Sequence, residues 1–302
     1  MIEIVFLGTG ASIPSKNRSL PCIVARRKDE LIMFDCGEGT QYKFLLSHFG
    51  VNKKMIILVT HLHGDHIFGL PGLMTTMSFL GRTKPLIIIG PGGIKRFIEC
   101  ILNSIPHKMR YDIVVYEREP GVVFESDEYI IEAYPTRHSV VNYMYVLREK
   151  MKPGKFYPEK AIQLGVPKGP LWKELQRGRS VTLKDGRIIR PEDVLGPPRR
   201  GLKIVYTGDT GPCEEIIKVS READVLIHEA TYSHDLLEKA IEEGHSTTII
   251  AAENAKNANV KLLILTHISA RYDGLEEKLL NEAKSVFQNT ILAYDGLRVT
   301  VK

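Results

Sequence analysis

Cysteine is scarce in this chain: four in 302 residues, at Cys22, Cys36, Cys100 and Cys213, no two of them close in sequence. That spacing offers neither a disulfide framework nor a thiolate zinc knuckle, and it suits a reducing cytoplasm. Long apolar runs are missing as well. None approaches the roughly 20 residues that span a bilayer, so a soluble protein without membrane association is expected. The first ten residues lack the basic start and small-residue cleavage site of a secretory signal, and read instead as a buried strand entering a glycine turn. Nothing in the pattern suggests a flavin, a nucleotide cofactor or an electron partner. An excess of one charge is also lacking overall, with 41 Lys and Arg against 36 Asp and Glu.

The small positive surplus is concentrated in one place. Between Arg148 and Lys203 stand fifteen Lys and Arg against six Asp and Glu, so the rest of the chain is net negative. The same stretch holds seven of the sixteen prolines and, around Asp185-Gly186, a pattern that reads as a small hairpin over 181–189. It is expected to be a structured, basic excursion at about 150–200 from a single domain spanning 1–302. Its Phe156, Tyr157 and Trp172, mixed with the positive charge, favour phosphate contacts and base stacking.

Elsewhere short apolar runs alternate with longer helical patterns, the signature of an α/β protein. Strands are expected at 2–7, 31–34, 55–59, 86–89, 129–134, 204–206, 225–227, 262–265 and 291–293. Helices are expected after Gly39, after His66, and over 93–104, 246–256 and 275–286. In the last, apolar residues at 275, 279, 280, 283, 286 and 287 form one stripe at helical spacing.

The strongest chemical signal is His61-Leu62-His63-Gly64-Asp65-His66, placed directly after the strand at 55–59. Two histidines one residue apart can reach a common metal from a turn, and Asp65 and His66 follow a flexible glycine. Histidine with carboxylate is the usual mixed ligand set of zinc. Four good ligands in six residues are rare in an ordinary surface loop. Other strands also end in such groups: 129–134 leads to His138, 204–206 to Asp209, 225–227 to His228 and Glu229, and 262–265 to His267. Strand ends with their following loops are where α/β proteins assemble sites. His48, His107 and His234 lie in no motif and are read as surface or helix-end residues.

These residues resemble the metallo-β-lactamase superfamily, in HLHGDH, TRHS, TGDT and LTHIS. Further stretches are similar to the ribonuclease Z family, which matures the 3′ end of transfer RNA. They are FLGTGAS near the start, FDCGEGTQ at Phe34–Gln41, HEAT at His228–Thr231, HST at His245–Thr247 and AYDG at Ala293–Gly296. The resemblance implies an αββα sandwich with a protruding basic arm and two Zn2+ per subunit. It would have His61, His63 and His138 bind one ion, Asp65, His66 and His267 the other, and Asp209 bridge them. It also implies a homodimer in which the arm of one subunit, including Gly169-Pro170, presents precursor tRNA to the other subunit's metals. The loop Pro14–Ser19 is similar to the family's PxKxRN loop but ends in Ser19 where Asn is expected. Lys16 and Arg18 in it are candidate phosphate contacts.

In this reading Asp65 both binds metal and orients the attacking water. His245, left over once seven ligands are assigned, protonates the departing ribose oxygen, and Glu229 orients that imidazole. Ser246 or Thr247 would cap the helix beginning there, and Asp35 is a candidate partner for a metal-binding histidine. The alternative is another dinuclear-zinc hydrolase of the superfamily, acting on small phosphodiesters, lactams or thioesters. A non-enzymatic, metal-stabilised RNA-binding protein would need neither Asp65 as a base nor His245 and Glu229.

Overall fold

The structure, a computed structural model, describes residues 1–302. Two seven-stranded sheets form its frame. The first runs in the order Arg298–Val301, Ile2–Gly8, Cys22–Arg27, Glu30–Phe34, Lys54–Leu58, Leu86–Gly90, Ile113–Glu117. The second runs Thr290–Leu292, Leu263–Thr266, Val225–Glu229, Lys203–Tyr206, Tyr143–Glu149, Tyr129–Pro135, Gly121–Glu125. Four neighbouring strands in each sheet are parallel. Parallel strands are covered on both faces, which is why they read as unbroken apolar runs.

Alternate residues go to different layers. Leu31, Met33, Met55, Ile57, Val59, Leu86 and Ile88 join a core with residues of helices Gly69–Phe79 and Ile94–Ser104. Val205, Leu226, Leu263 and Leu265 join another with residues of helices Thr248–Asn257 and Glu276–Val286. The intervening residues, such as Phe34 and Tyr206, are equally buried and meet between the sheets, their rings 5.5 Å apart. The result is helix, sheet, sheet, helix, the αββα sandwich.

Most of the expected strands and helices are present within a few residues. Strands Cys22–Arg27, Ile113–Glu117, Gly121–Glu125, Tyr143–Glu149 and Arg298–Val301 were not legible, nor were helices Glu214–Ser220 and Leu237–Glu242. Three of those strands are sheet-edge strands whose residues are half-exposed or charged, so their apolar runs are short and flanked by charge. No helix is long and apolar enough to cross a membrane.

The chain divides into two compact units: residues 1–125, 130–147 and 202–302 in one, and 126–129 with 148–201 in the other. The second unit has a small core of its own, built on Ala161, Val166, Leu175, Ile189 and Val194. Helices Pro158–Gln163 and Pro170–Gln176 and the hairpin Val181–Thr182/Ile188–Ile189 enclose it. Phe156 and Trp172 pack against each other with ring centroids 5.2 Å apart, and the Trp172 indole N–H donates to the Val166 carbonyl at 3.0 Å. Both rings are partly buried against this core, which fixes their orientation. Among the side chains the unit leaves exposed are Lys160, Lys168, Lys173 and Lys184.

Candidate metal centre

Each candidate ligand sits where a strand or helix ends. Val59 is the last apolar residue before the turn, and Asp65 and His66 lie in the helical turn Gly64–Ile67 that runs on toward Gly69–Phe79. His138 follows Tyr129–Pro135, Asp209 follows Lys203–Tyr206, and His267 follows Leu263–Thr266. The helix start must come close to the first sheet. A Cβ on Gly69 would stand 1.9 Å from the Gly37 carbonyl oxygen, and one on Gly37 would stand 2.5 Å from that of Asp65. Glycine at 37 and 69 is therefore a steric requirement.

The seven residues converge on one another. Donor atoms of His61, His63, His138 and Asp209 lie within 4.8 Å of one another, as do those of Asp65, His66 and His267. In the first group, His63 Nδ1 is 3.0 Å from His61 Nε2 and 3.3 Å from His138 Nε2. Asp209 Oδ2 is 3.8 Å from His61 Nε2 and 4.0 Å from His138 Nε2. In the second, Asp65 Oδ2 is 3.6 Å from both His66 Nε2 and His267 Nε2. Asp209 Oδ1 lies 3.4 Å and 3.3 Å from the same two nitrogens. Ligands about 2.0–2.1 Å from a tetrahedral zinc are separated by about 3.3 Å, so the donors of both groups are close enough to share a divalent ion after small side-chain adjustments. The two oxygens of Asp209 divide between them.

A second observation agrees. His66 Nε2, His267 Nε2 and Asp209 Oδ1 are buried and have no hydrogen-bond partner in the protein. Orphaned buried polar atoms are costly, and three aimed at one point fit a cation. Backbone strain collects here too: Asp35 and His267 hold φ of 57° and 56°, a left-handed conformation that costs non-glycine residues about 1–3 kcal/mol.

The far nitrogens of His61, His66, His138 and His267 are held. Asp35 Oδ2 accepts from His66 Nδ1 at 2.8 Å and from the Tyr206 hydroxyl at 2.9 Å. Thr60 Oγ1, which donates to Asp35 at 3.0 Å, also contacts His61 Nδ1 at 3.0 Å. His138 Nδ1 contacts the Gly244 carbonyl at 2.9 Å. On the opposite side Thr231 Oγ1 donates to Glu229 Oε2 at 2.8 Å and contacts His267 Nδ1 at 2.8 Å. Glu229 Oε1 contacts His245 Nδ1 at 2.9 Å and accepts from the backbone N–H of Thr210 and Ser246. Asp65 Oδ2 accepts from the Ser12 N–H at 2.9 Å.

Burial, followed by the positive potential of His66, pushes His61 down to about 2, so it is neutral and its lone pair is available. Burial alone would also lower His245, but the Glu229 carboxylate outweighs it and lifts the imidazole to about 9. Burial opposes ionisation of Glu229, yet His245 beside it holds the carboxyl below its usual range. The carboxylate fixes the orientation of the imidazole and favours its protonated form. The imidazole's Nδ1 also stands 4.0 Å from Asp209 Oδ2, close to the ligand cluster.

The candidate RNA contacts are less uniform. Lys16 is exposed in its loop, and Gly169 and Pro170 are exposed at the start of helix Pro170–Gln176. Arg18, expected as a surface phosphate contact, is only 4% exposed. Its guanidinium donates to Thr9 Oγ1 at 2.9 Å and to the Ala293 carbonyl at 2.7 Å, so it serves the interior. His228 turns from the cluster: its Nε2 meets Asn254 at 3.0 Å, tying helix Thr248–Asn257 to its strand. Thr247, not Ser246, caps that helix by accepting from the Ile250 N–H. Thr60, Thr231, Tyr206 and Ser12 were missed from sequence. The threonines stand beside recognised motifs, in Thr60-His61 and at the end of HEAT, which was the one signal available.

Residues 180–268 match the family described as Beta-lactamase superfamily domain, and residues 2–144 match Anti-Pycsar protein Apyc1. The chain is 47% identical over 302 residues to a protein named Ribonuclease Z from Methanothermobacter thermautotrophicus, covering 100% of the chain and 97% of the relative. It is 44% identical to Ribonuclease Z of Methanosarcina acetivorans over 301 residues, covering 100% and 98%. The crystal structure of human tRNase Z, short form, superposes with a TM-score of 0.73 at 28% identity, covering 99% of each chain.

Proposed function

The chain belongs to the ribonuclease Z family, and from that premise we propose that it is a zinc-dependent endoribonuclease that removes the 3′ trailer of precursor tRNA and leaves a 3′-hydroxyl. The observation that carries this reading is the carboxylate of Asp209, whose two oxygens face two groups of His and Asp donors beside the His245 imidazole. His61, His63 and His138 would hold one zinc and Asp65, His66 and His267 the other, with Asp209 offering one carboxylate oxygen to each group. When bound, such an ion pair lowers the pKa of a coordinated water and neutralises charge on the scissile phosphate.

The remaining steps belong to the chain's own side chains. Asp65, steadied by the Ser12 N–H, orients the attacking water and accepts its proton. His245 delivers a proton to the ribose oxygen that leaves with the trailer, and Glu229 keeps its ring aimed and charged. Exposed Lys16 and the lysine-rich second unit, with Gly169 and Pro170 at a helix start, supply contacts to the RNA backbone. The enzyme works as a homodimer in the cytoplasm and needs no nucleotide cofactor.

The test is incubation of purified protein with a 3′-extended precursor tRNA, with and without a chelator, followed by mapping of the product ends. A single cut near the end of the acceptor stem, abolished by chelation and restored by zinc, is expected. Intact tRNA under conditions where a small phosphodiester is hydrolysed would move the assignment to the broader hydrolase class.

A further inference from the structure

The AYDG stretch has no part in the chemistry above, yet Asp295 within it makes more contacts than a surface turn requires. Its side chain is 8% exposed. Oδ1 accepts from the Thr9 hydroxyl at 2.9 Å, Oδ2 accepts from the Ser19 N–H at 2.8 Å, and Lys43 Nζ pairs with Oδ2 at 3.1 Å. Thr9 and Ser19 are the two feet of the loop that carries Lys16. The outgoing limb has a second anchor, because Gly10 and Ala11 pair with Ile268 and Ser269 just past His267. The returning limb has Arg18, bonded to Thr9 and to the Ala293 carbonyl, and Asp295. Between them Ser15 closes the tip by donating its N–H to the Arg18 carbonyl, which leaves Lys16 and Asn17 exposed at the apex. The same loop reaches the metal cluster through Ser12 and Asp65.

We infer that Asp295 is a positioning residue for RNA cleavage: it pins the returning limb of the 12–19 loop so that Lys16 is held over the path of the substrate backbone. The inference rests on the ribonuclease reading of the site. A buried carboxylate bonded to a hydroxyl, a backbone amide and an ammonium is a stiff joint, and a lysine on a loop fixed at both feet loses less freedom on binding a phosphate.

The experiment is a double-mutant cycle on pre-tRNA cleavage with Asp295→Ala, Lys16→Ala and the pair, with Asp295→Asn as the conservative variant. Each single change is expected to raise KM about tenfold, the size of one lost charge-assisted contact, with kcat and zinc content unchanged. The pair should be no worse than the worse single variant, because both act through Lys16, and Asn, able to accept from the Ser19 N–H, should recover part of the loss. Additive effects in the pair, or a fall in kcat with zinc loss, would overturn the inference by making Asp295 a general stability residue. Wild-type protein that fails to cleave pre-tRNA at all would instead remove the ribonuclease reading, so the two failures are separable.

Discussion

Two buried carboxylates organise the candidate centre from behind. Asp35 touches His66 directly and reaches His61 through Thr60, while Glu229 touches His245 directly and reaches His267 through Thr231. Each thus fixes one ring by a direct bond and another by a hydroxyl relay, leaving the inward nitrogens free for ions. Removing the proton donor and removing the bridge should have different effects. His245→Ala is expected to keep two zinc ions per chain by elemental analysis while kcat falls about 10²- to 10⁴-fold, the usual worth of a general acid. Asp209→Ala should lower zinc content at both positions and reduce the melting temperature, since an ion bound only by the native state stabilises it. A His245 variant that arrives without zinc would make that residue a ligand. The seven proposed ligands were legible because His and Asp at strand ends are unusual residues in unusual places. Thr60, Thr231 and Tyr206 were not, because hydroxyl residues beside a motif look the same whether or not they bond to anything. Arg18 misled for the opposite reason: an arginine in a polar loop reads as exposed, and only the fold buries it against Thr9 and Ala293.

At the scale of elements, the site depends on how closely a helix can approach a sheet. Helix Gly69–Phe79 comes directly after the turn that carries Asp65 and His66, and the Gly69 N–H donates to the Cys36 carbonyl at 2.9 Å, one residue after Asp35. A methyl group at 69 has no room against the Gly37 carbonyl. Gly69→Ala should therefore cost about 3 kcal/mol through overpacking and also weaken zinc binding, because the turn holding two proposed ligands must move. Gly81→Ala is the control. That residue has φ 81° and nothing near its missing Cβ, so the change should cost about 1 kcal/mol of backbone strain and leave zinc affinity alone. Thermal melts with a zinc titration separate the two, and equal zinc affinity in both variants would sink the argument. Elements with continuous apolar runs were readable for the same reason they matter here: burial on both faces demands Ile, Leu and Val throughout. The edge strand Arg298–Val301 has no such demand, yet its pairing with Ile2–Gly8 brings Asp295 beside Thr9.

At the scale of the molecule, charge and chemistry are held in different parts of the sequence. The residues proposed for catalysis all lie in the larger unit, and the basic surplus is concentrated in 148–203. A small phosphodiester needs only the first, whereas a folded RNA needs both, and the two readings of the activity diverge on that point. Electrostatic contacts to a nucleic-acid backbone release counterions, so each contributes roughly one unit to the log–log dependence of binding on salt. Raising salt should therefore raise KM for precursor tRNA steeply and leave hydrolysis of bis(p-nitrophenyl) phosphate nearly unchanged. Replacing Lys168, Lys173 and Lys184 together by alanine should flatten the tRNA slope by up to about three units while kcat on the small ester stays at the wild-type value. These side chains are exposed and outside the small core built on Leu175 and Val194, so folding is not at stake. An unchanged slope would mean that the lysines of the second unit face away from the RNA, and that the positive charge there serves something other than substrate capture.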